Sequence, residues 1–110
     1  MTNQDLRNHV AVVVGASSGI GRATAIGFAM RGASVMAAAR NRRALESLAD
    51  VARDLAGEVV PHPTDVTDPG AVDALAAEAT ARFGRIDTWV NAAAVAMYAA
   101  VADTEPDELR

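Results

Sequence analysis

Three glycines, Gly15, Gly19 and Gly21, follow the apolar run Val10-Ala11-Val12-Val13-Val14 in the spacing G-x-x-x-G-x-G. Ser17, Ser18 and Ile20 fill the gaps between them. An apolar β-branched run that stops at glycine and resumes as a helical pattern reads as strand, turn and helix. The amides at a helix N-terminus have no partner within the helix and carry partial positive charge. A pyrophosphate can sit on them if no side chain blocks its approach. Gly15 would allow the sharp turn out of the strand, Gly19 the close approach of backbone to phosphate, and Gly21 close packing of the helix. The two serines add hydroxyl donors. A P-loop is excluded, because all ten basic residues are Arg and no Lys can reach a phosphate.

One further group could act on the same ligand. The second apolar run ends Ala38-Ala39-Arg40, with no carboxylate. An acidic residue near this point would suit a bare ribose 2′-hydroxyl, whereas a guanidinium suits a phosphate there through charge-assisted hydrogen bonds. Arg42 and Arg43 read instead as solvated residues at a helix start. Asp65, after the third apolar run, reads from the residues as a local turn or cap acceptor.

The elements that must position these groups alternate in type. Val10–Val14 is a buried strand, and a helix from Ile20 to Arg31 carries Ile20, Ala23, Ile26 and Met30 at helical spacing, stopped by Gly32. Ala33–Ala39 is a second strand. Asn41 caps a helix with Leu45, Leu48, Ala52 and Leu55 on one face, closed by Gly57. Glu58–His62 is a short strand ending at Pro61 and Pro63, which leaves His62 in a loop. Asp68-Pro69 opens a helix with Val72, Leu75, Ala79 and Phe83 inward, ended by Gly84. Ile86–Val90 is a fourth strand, with Trp89 read as strand packing, and Thr104-Glu105-Pro106-Asp107 has the form of a capping box. Strands separated by helices imply parallel pairing and right-handed crossovers, hence an α/β fold with a doubly wound parallel sheet.

Composition narrows the partners. The chain has 110 residues, 51% of them apolar, which suffices for one small domain. A net charge of −4 argues against nucleic acid. With no Cys, there is neither a disulfide framework nor a thiolate metal site, and His9 and His62 stand too far apart for ligand spacing. No metal site is expected. No apolar run approaches the length of a membrane span, and the polar N-terminus does not read as a signal peptide, so no membrane partner and a cytoplasmic location are expected.

Together, "GASSGIG", "AARNRRALE", "DVTD" and "GRIDTWVNAAA" resemble the short-chain dehydrogenase/reductase family, in that family's order and at its spacing. The resemblance implies a Rossmann-like sheet in strand order 3-2-1-4, and NADP as cofactor, with NAD the lesser alternative. It implies that Gly15, Ser17, Ser18, Gly19, Ile20 and Gly21 form the phosphate loop and that Ser17 and Arg40 hold the extra phosphate of NADP. It further implies that Asp65 accepts from the adenine amino group, that Val66 packs on the ring, and that Asn91, Ala92 and Ala93 line the cofactor floor. The family motif usually written N-N-A-G reads Asn91-Ala92-Ala93-Ala94 here. Ala94 puts a methyl group where glycine is usual.

The implied activity is hydride transfer between nicotinamide and a small carbonyl or alcohol substrate. The family's tyrosine acid, four residues before a lysine, has no counterpart: Tyr98 is followed by Ala102, and there is no Lys. No catalytic residue is therefore assigned. Residues 1–110 are expected to be the N-terminal part of one dinucleotide-binding domain whose catalytic half is missing, the whole forming a homo-oligomer. In strand order 3-2-1-4 a fourth strand as apolar as this would otherwise form an uncovered edge. A nucleotide-binding module without catalysis is the competing expectation. Binding of S-adenosylmethionine on the same fold is a third, which Arg40 disfavours.

Overall fold

The computed structural model describes residues 5–92. Its elements follow in the order β1 (Val10–Val14), α1 (Gly19–Met30), β2 (Ser34–Ala39), α2 (Arg42–Ala52), β3 (Glu58–Pro63), α3 (Pro69–Phe83) and β4 (Thr88–Asn91). The four strands form one sheet in the order β3-β2-β1-β4, and every pairing is parallel. The capping box at Thr104, together with Tyr98, Ala94 and Ala93, lies outside the described residues.

Strand alternation divides the core into two layers. Val13, Val35, Ala37, Ala39 and Val59 face α1 and α2, which contribute Ala25, Ala29, Leu45, Leu48 and Ala52. Val12, Val14, Met36 and Ala38 face α3, which contributes Leu75 and Ala79. Helices therefore cover both faces, as a doubly wound sheet requires. β1 and β2 are buried along nearly their whole length, as their continuous apolar runs demand.

Two of the helix caps agree with the sequence. The Asn41 side chain accepts from the Ala44 amide, and the Asp68 carboxylate from the Gly70 amide. Pro69 occupies the first turn of α3, and Gly84 ends it in a left-handed conformation.

Other expectations need correction. The inward face of α1 is Gly21, Ala25 and Ala29, while Ile20 and Met30 are exposed. Ala25 and Ala29 let the helix axis approach the sheet closely, and Gly21 does the same against the loop that leaves β1. α2 ends at Ala52 rather than near Gly57. Gly57 instead opens the path into β3, where a Cβ would meet the Ala33 carbonyl oxygen at 2.0 Å. β3 runs through both prolines, so His62 lies in a strand, opposite Ala38. The Glu58 and Thr64 amides donate to Ala33 and Ala39 of the β2 side. Pro61 and Pro63 have the opposite parity, so their missing N–H groups fall on the outer edge, where the ladder does not need them. β4 begins at Thr88, and Trp89 is paired opposite Val12 yet 39% exposed, because β4 has only β1 as a neighbour among the described strands.

β4 is held to β1 partly by one carboxylate. Asp87 accepts from the Val10 amide at 2.8 Å and from Arg85 Nε at 2.9 Å, while its own amide donates to the Val10 carbonyl at 2.9 Å. The Arg85 guanidinium, then the Val10 amide, hold the Asp87 carboxyl below its ordinary pKa. A depressed folded-state pKa means stability present above the carboxylate range and lost as pH falls through it. Asp87→Ala should therefore lower the Tm at pH 7, with the gap to wild type narrowing toward pH 3. Thermal unfolding at the two pH values checks this, and a gap independent of pH contradicts it.

Candidate functional site

All four strands are parallel and in register, so their C-terminal ends meet at one rim of the sheet. Val14 lies opposite both Ala38 and Asn91, and Ala39 lies opposite Pro63. The segments that leave these ends carry Gly15–Gly21, Arg40 and Asn41, Thr64–Val66, and Ala92. The strand order reverses direction between β1 and β4, and such a switch point is where open α/β sheets hold ligands.

The glycine loop is tied down at its start and open at its end. The Gly15 and Ala16 amides both donate to the Ala38 carbonyl, at 2.8 and 3.1 Å, which pins the loop to β2. Gly15 has φ +85°, and Gly19 has φ +58° with nothing within 4 Å of where a Cβ would stand. Both conformations favour glycine. Gly21 is different: its φ is ordinary, but a Cβ there would lie 1.9 Å from the Gly15 carbonyl oxygen and 3.1 Å from the Ala16 Cα. Its role is the contact of α1 with the loop itself, rather than with the body of the sheet.

The N-terminus of α1 differs from those of α2 and α3. Ser18 stands at the N-cap in extended conformation, but its side chain makes no capping hydrogen bond, unlike those of Asn41 and Asp68. The partial positive charge of the helix end is not spent on its own cap. Ser18, Gly19 and Ile20 are exposed, Ile20 by 54%.

Beside the loop lies an open cleft of about 280 Å³, bordered by Gly15, Ser17, Arg40, Asn41, Thr64 and Val66. Arg40 is exposed and has no ion-pair partner among the described residues. Val66 is 40% exposed and offers an apolar surface to the cleft. Asp65 makes the local turn: its Oδ1 accepts from the Thr67 amide at 3.0 Å and the Thr67 hydroxyl at 2.6 Å. Those bonds, with a weaker contribution from Arg40, hold its carboxyl below the ordinary pKa and keep it anionic at neutral pH. Thr67 engages Oδ1 only, so the turn and an acceptor role at Oδ2 are compatible.

The structure thus gathers Gly15, Ser17, Arg40 and Val66 around one cleft, with Ser18, Gly19, Ile20 and Gly21 at the adjoining helix end. Asn91 closes β4 on the same rim, and Ala92 beyond it is buried. Ala93 lies outside the described residues. Sequence reasoning missed Asn41 and Thr64 as cleft residues. Asn41 is adjacent to Arg40 and could have been found from that position, but nothing in the spacing of Thr64 announces it.

A larger concavity, of about 590 Å³, lies at the opposite end of the strands between residues 5–9 and 85–87. Its charged groups are already matched, Asp5 to Arg7 and Asp87 to Arg85. It lacks the glycine loop and the uncapped helix end. No group of residues with metal-ligand character occurs among the described residues, and no described helix is long and apolar enough to cross a membrane.

Comparison with known proteins agrees with this fold. The family model for short chain dehydrogenase matches residues 9–110. The chain is 40% identical over 105 residues to an uncharacterized oxidoreductase, YxnA, of Bacillus subtilis, covering 96% of this chain and 30% of that protein. It is 38% identical over 90 residues to the 3-oxoacyl-[acyl-carrier-protein] reductase FabG of Thermotoga maritima, covering 82% and 37%. Among solved structures, a hydroxysteroid dehydrogenase from Escherichia coli superposes with a TM-score of 0.76 at 34% identity, covering 80% of this chain and 36% of that one. A 7α-hydroxysteroid dehydrogenase complexed with NADH and 7-oxo glycochenodeoxycholic acid superposes with a TM-score of 0.77 at 34% identity, covering 83% and 37%. The chain spans about a third of the length of these relatives.

Proposed function

The chain belongs to the short chain dehydrogenase family, and from that premise we propose that it forms the cofactor-binding part of an NADP-dependent oxidoreductase acting on a small carbonyl or alcohol. The observation that carries the choice of NADP is the exposed Arg40 guanidinium at the end of β2, which has no ion pair among the described residues and stands where no carboxylate follows the strand to accept a ribose hydroxyl. It borders the same cleft as Ser17 and stands beside an uncapped helix end.

The residues present fit a dinucleotide. Gly19 leaves open space over the α1 amides, which would hold the pyrophosphate, and Gly21 permits the helix approach that presents them. Arg40 and Ser17 would hold the 2′-phosphate. Val66 would cover one face of the adenine, and Asp65 would accept from its amino group. Asn91 and Ala92 would border the ribose on the nicotinamide side. When bound, the nicotinamide supplies or takes up the hydride. The described residues bind and orient it, and none of them is assigned a proton-transfer role.

NAD is the second reading, favoured by the NADH in the related 7α-hydroxysteroid dehydrogenase and by the anionic Asp65 near Arg40. Calorimetric titration of the intact protein with NADPH, NADH and S-adenosylmethionine tests both. NADPH binding at least about tenfold tighter than NADH is expected, as one charge-assisted contact supplies. Tighter NADH binding overturns the choice of NADP alone. Displacement of NADPH by S-adenosylmethionine, or no binding of either dinucleotide, overturns the oxidoreductase reading.

A further inference from the structure

Thr64 is the buried polar residue among those described, 4% exposed, and it sits between β3 and the Asp65 turn. Its amide donates to the Ala39 carbonyl at 2.8 Å, immediately before Arg40. Its hydroxyl lies 2.8 Å from the His62 carbonyl and 2.8 Å from His62 Nδ1. We propose that the His62–Thr64 pair is a positioning device for the adenine end of the cofactor, holding the 64–67 turn, and with it Asp65 and Val66, against Arg40. This rests on the cofactor reading above.

The device acts at a sheet edge. β3 pairs with β2 alone among the described strands, and the Pro61 and Pro63 nitrogens face its open side, so no described strand ties it there. The side-chain bonds stiffen residues 62–64 where the chain turns into the site, and the Thr64 amide ties them to Ala39 beside Arg40. From there the ties continue: Asp65 accepts from Thr67, the Asp68 amide donates to the Asp65 carbonyl at 3.1 Å, and Asp68 caps α3. The wall of the cleft is thus one hydrogen-bonded run from His62 to the start of α3.

The pair also fixes a tautomer. A threonine hydroxyl has one proton, and here the His62 carbonyl can only accept it. The bond to Nδ1 is satisfied at the same time only if the ring donates, so neutral His62 carries its proton on Nδ1. Nε2 is then left as the acceptor.

Two measurements test the proposal in the intact protein. Nitrogen-15 NMR of the His62 ring, at a pH where it is neutral, should show the Nδ1–H form in the wild type and lose that preference in Thr64→Val. An Nε2–H ring in the wild type overturns the arrangement in which Thr64 bonds the His62 carbonyl and ring together, on which the proposal stands. NADPH titration should show Thr64→Val weakened about fivefold, as loss of one hydrogen bond implies, with Thr64→Ser within about twofold of wild type. His62→Ala should move affinity in the same direction as Thr64→Val and serves if the valine variant does not fold. Wild-type affinity in both Thr64→Val and His62→Ala, or equal loss in Thr64→Ser, overturns the positioning role while the cofactor reading stands. Failure of the wild type to bind either dinucleotide overturns both.

Discussion

Gly21→Ala should lower the Tm and, in whatever fraction remains folded, weaken NADPH binding by about tenfold or more. The added Cβ would stand 1.9 Å from the Gly15 oxygen, 2.6 Å from its carbonyl carbon and 3.1 Å from the Ala16 Cα. These are backbone atoms, and no rotamer change relieves the contact. The loop cannot retreat easily, because the Gly15 and Ala16 amides are both fastened to Ala38. The helix must move instead, although Ala25 and Ala29 bury its inner face against the sheet. Overpacking of this kind costs about 1–3 kcal/mol, occasionally more. Displacing the α1 amides forfeits a charged hydrogen bond or more to the pyrophosphate, worth about 1.5–3 kcal/mol. Gly57→Ala separates the two effects. Its Cβ would meet the Ala33 oxygen at 2.0 Å, an equally severe contact at the far end of the sheet. Thermal unfolding should show both variants destabilised, and titration should show the affinity loss in Gly21→Ala alone. Equal affinity losses would mean that Gly21 serves stability and has no particular part in presenting the helix end.

Arg40→Asp should leave the Tm close to wild type and weaken NADPH binding by about 100-fold, with NADH little changed or improved. The arginine is exposed and has no ion pair among the described residues, so folding does not depend on it. A guanidinium–phosphate contact is worth up to about 3 kcal/mol, and each 1.4 kcal/mol is tenfold. The substituted carboxylate would repel the 2′-phosphate and accept from a bare ribose hydroxyl. Parallel titrations with the two cofactors check the result. Equal losses for NADPH and NADH would show that Arg40 does not read the phosphate.

Much of this was legible in the sequence because it depends on local rules. The alternation of apolar strands and periodic helices sets the α/β class. The caps at Asn41 and Asp68 and the left-handed stop at Gly84 follow from side-chain and backbone chemistry within one turn. The glycine spacing marks the strand-to-helix loop, since its demands on φ and on close approach involve neighbours only a few residues away. The absence of a carboxylate after the second strand is likewise plain from the residues alone.

Tertiary structure decided what depends on partners distant in the chain. The inward face of α1 is the row of smallest residues, because closeness to the sheet outweighed the larger apolar side chains that set its hydrophobic pattern. The use of Gly57 was set by the approach of Ala33, 24 positions earlier in the chain. β3 continues through two prolines because it lies at the edge of the sheet with their nitrogens outward, and an edge cannot be recognised until the strand order is known. The same placement turns His62 from a residue between prolines into the partner of Thr64. The sequence by itself marked the glycine loop, Arg40 and the 65–66 turn as candidates for holding a dinucleotide. Parallel register, an interaction between strands rather than along one, brought their strand ends to a common rim.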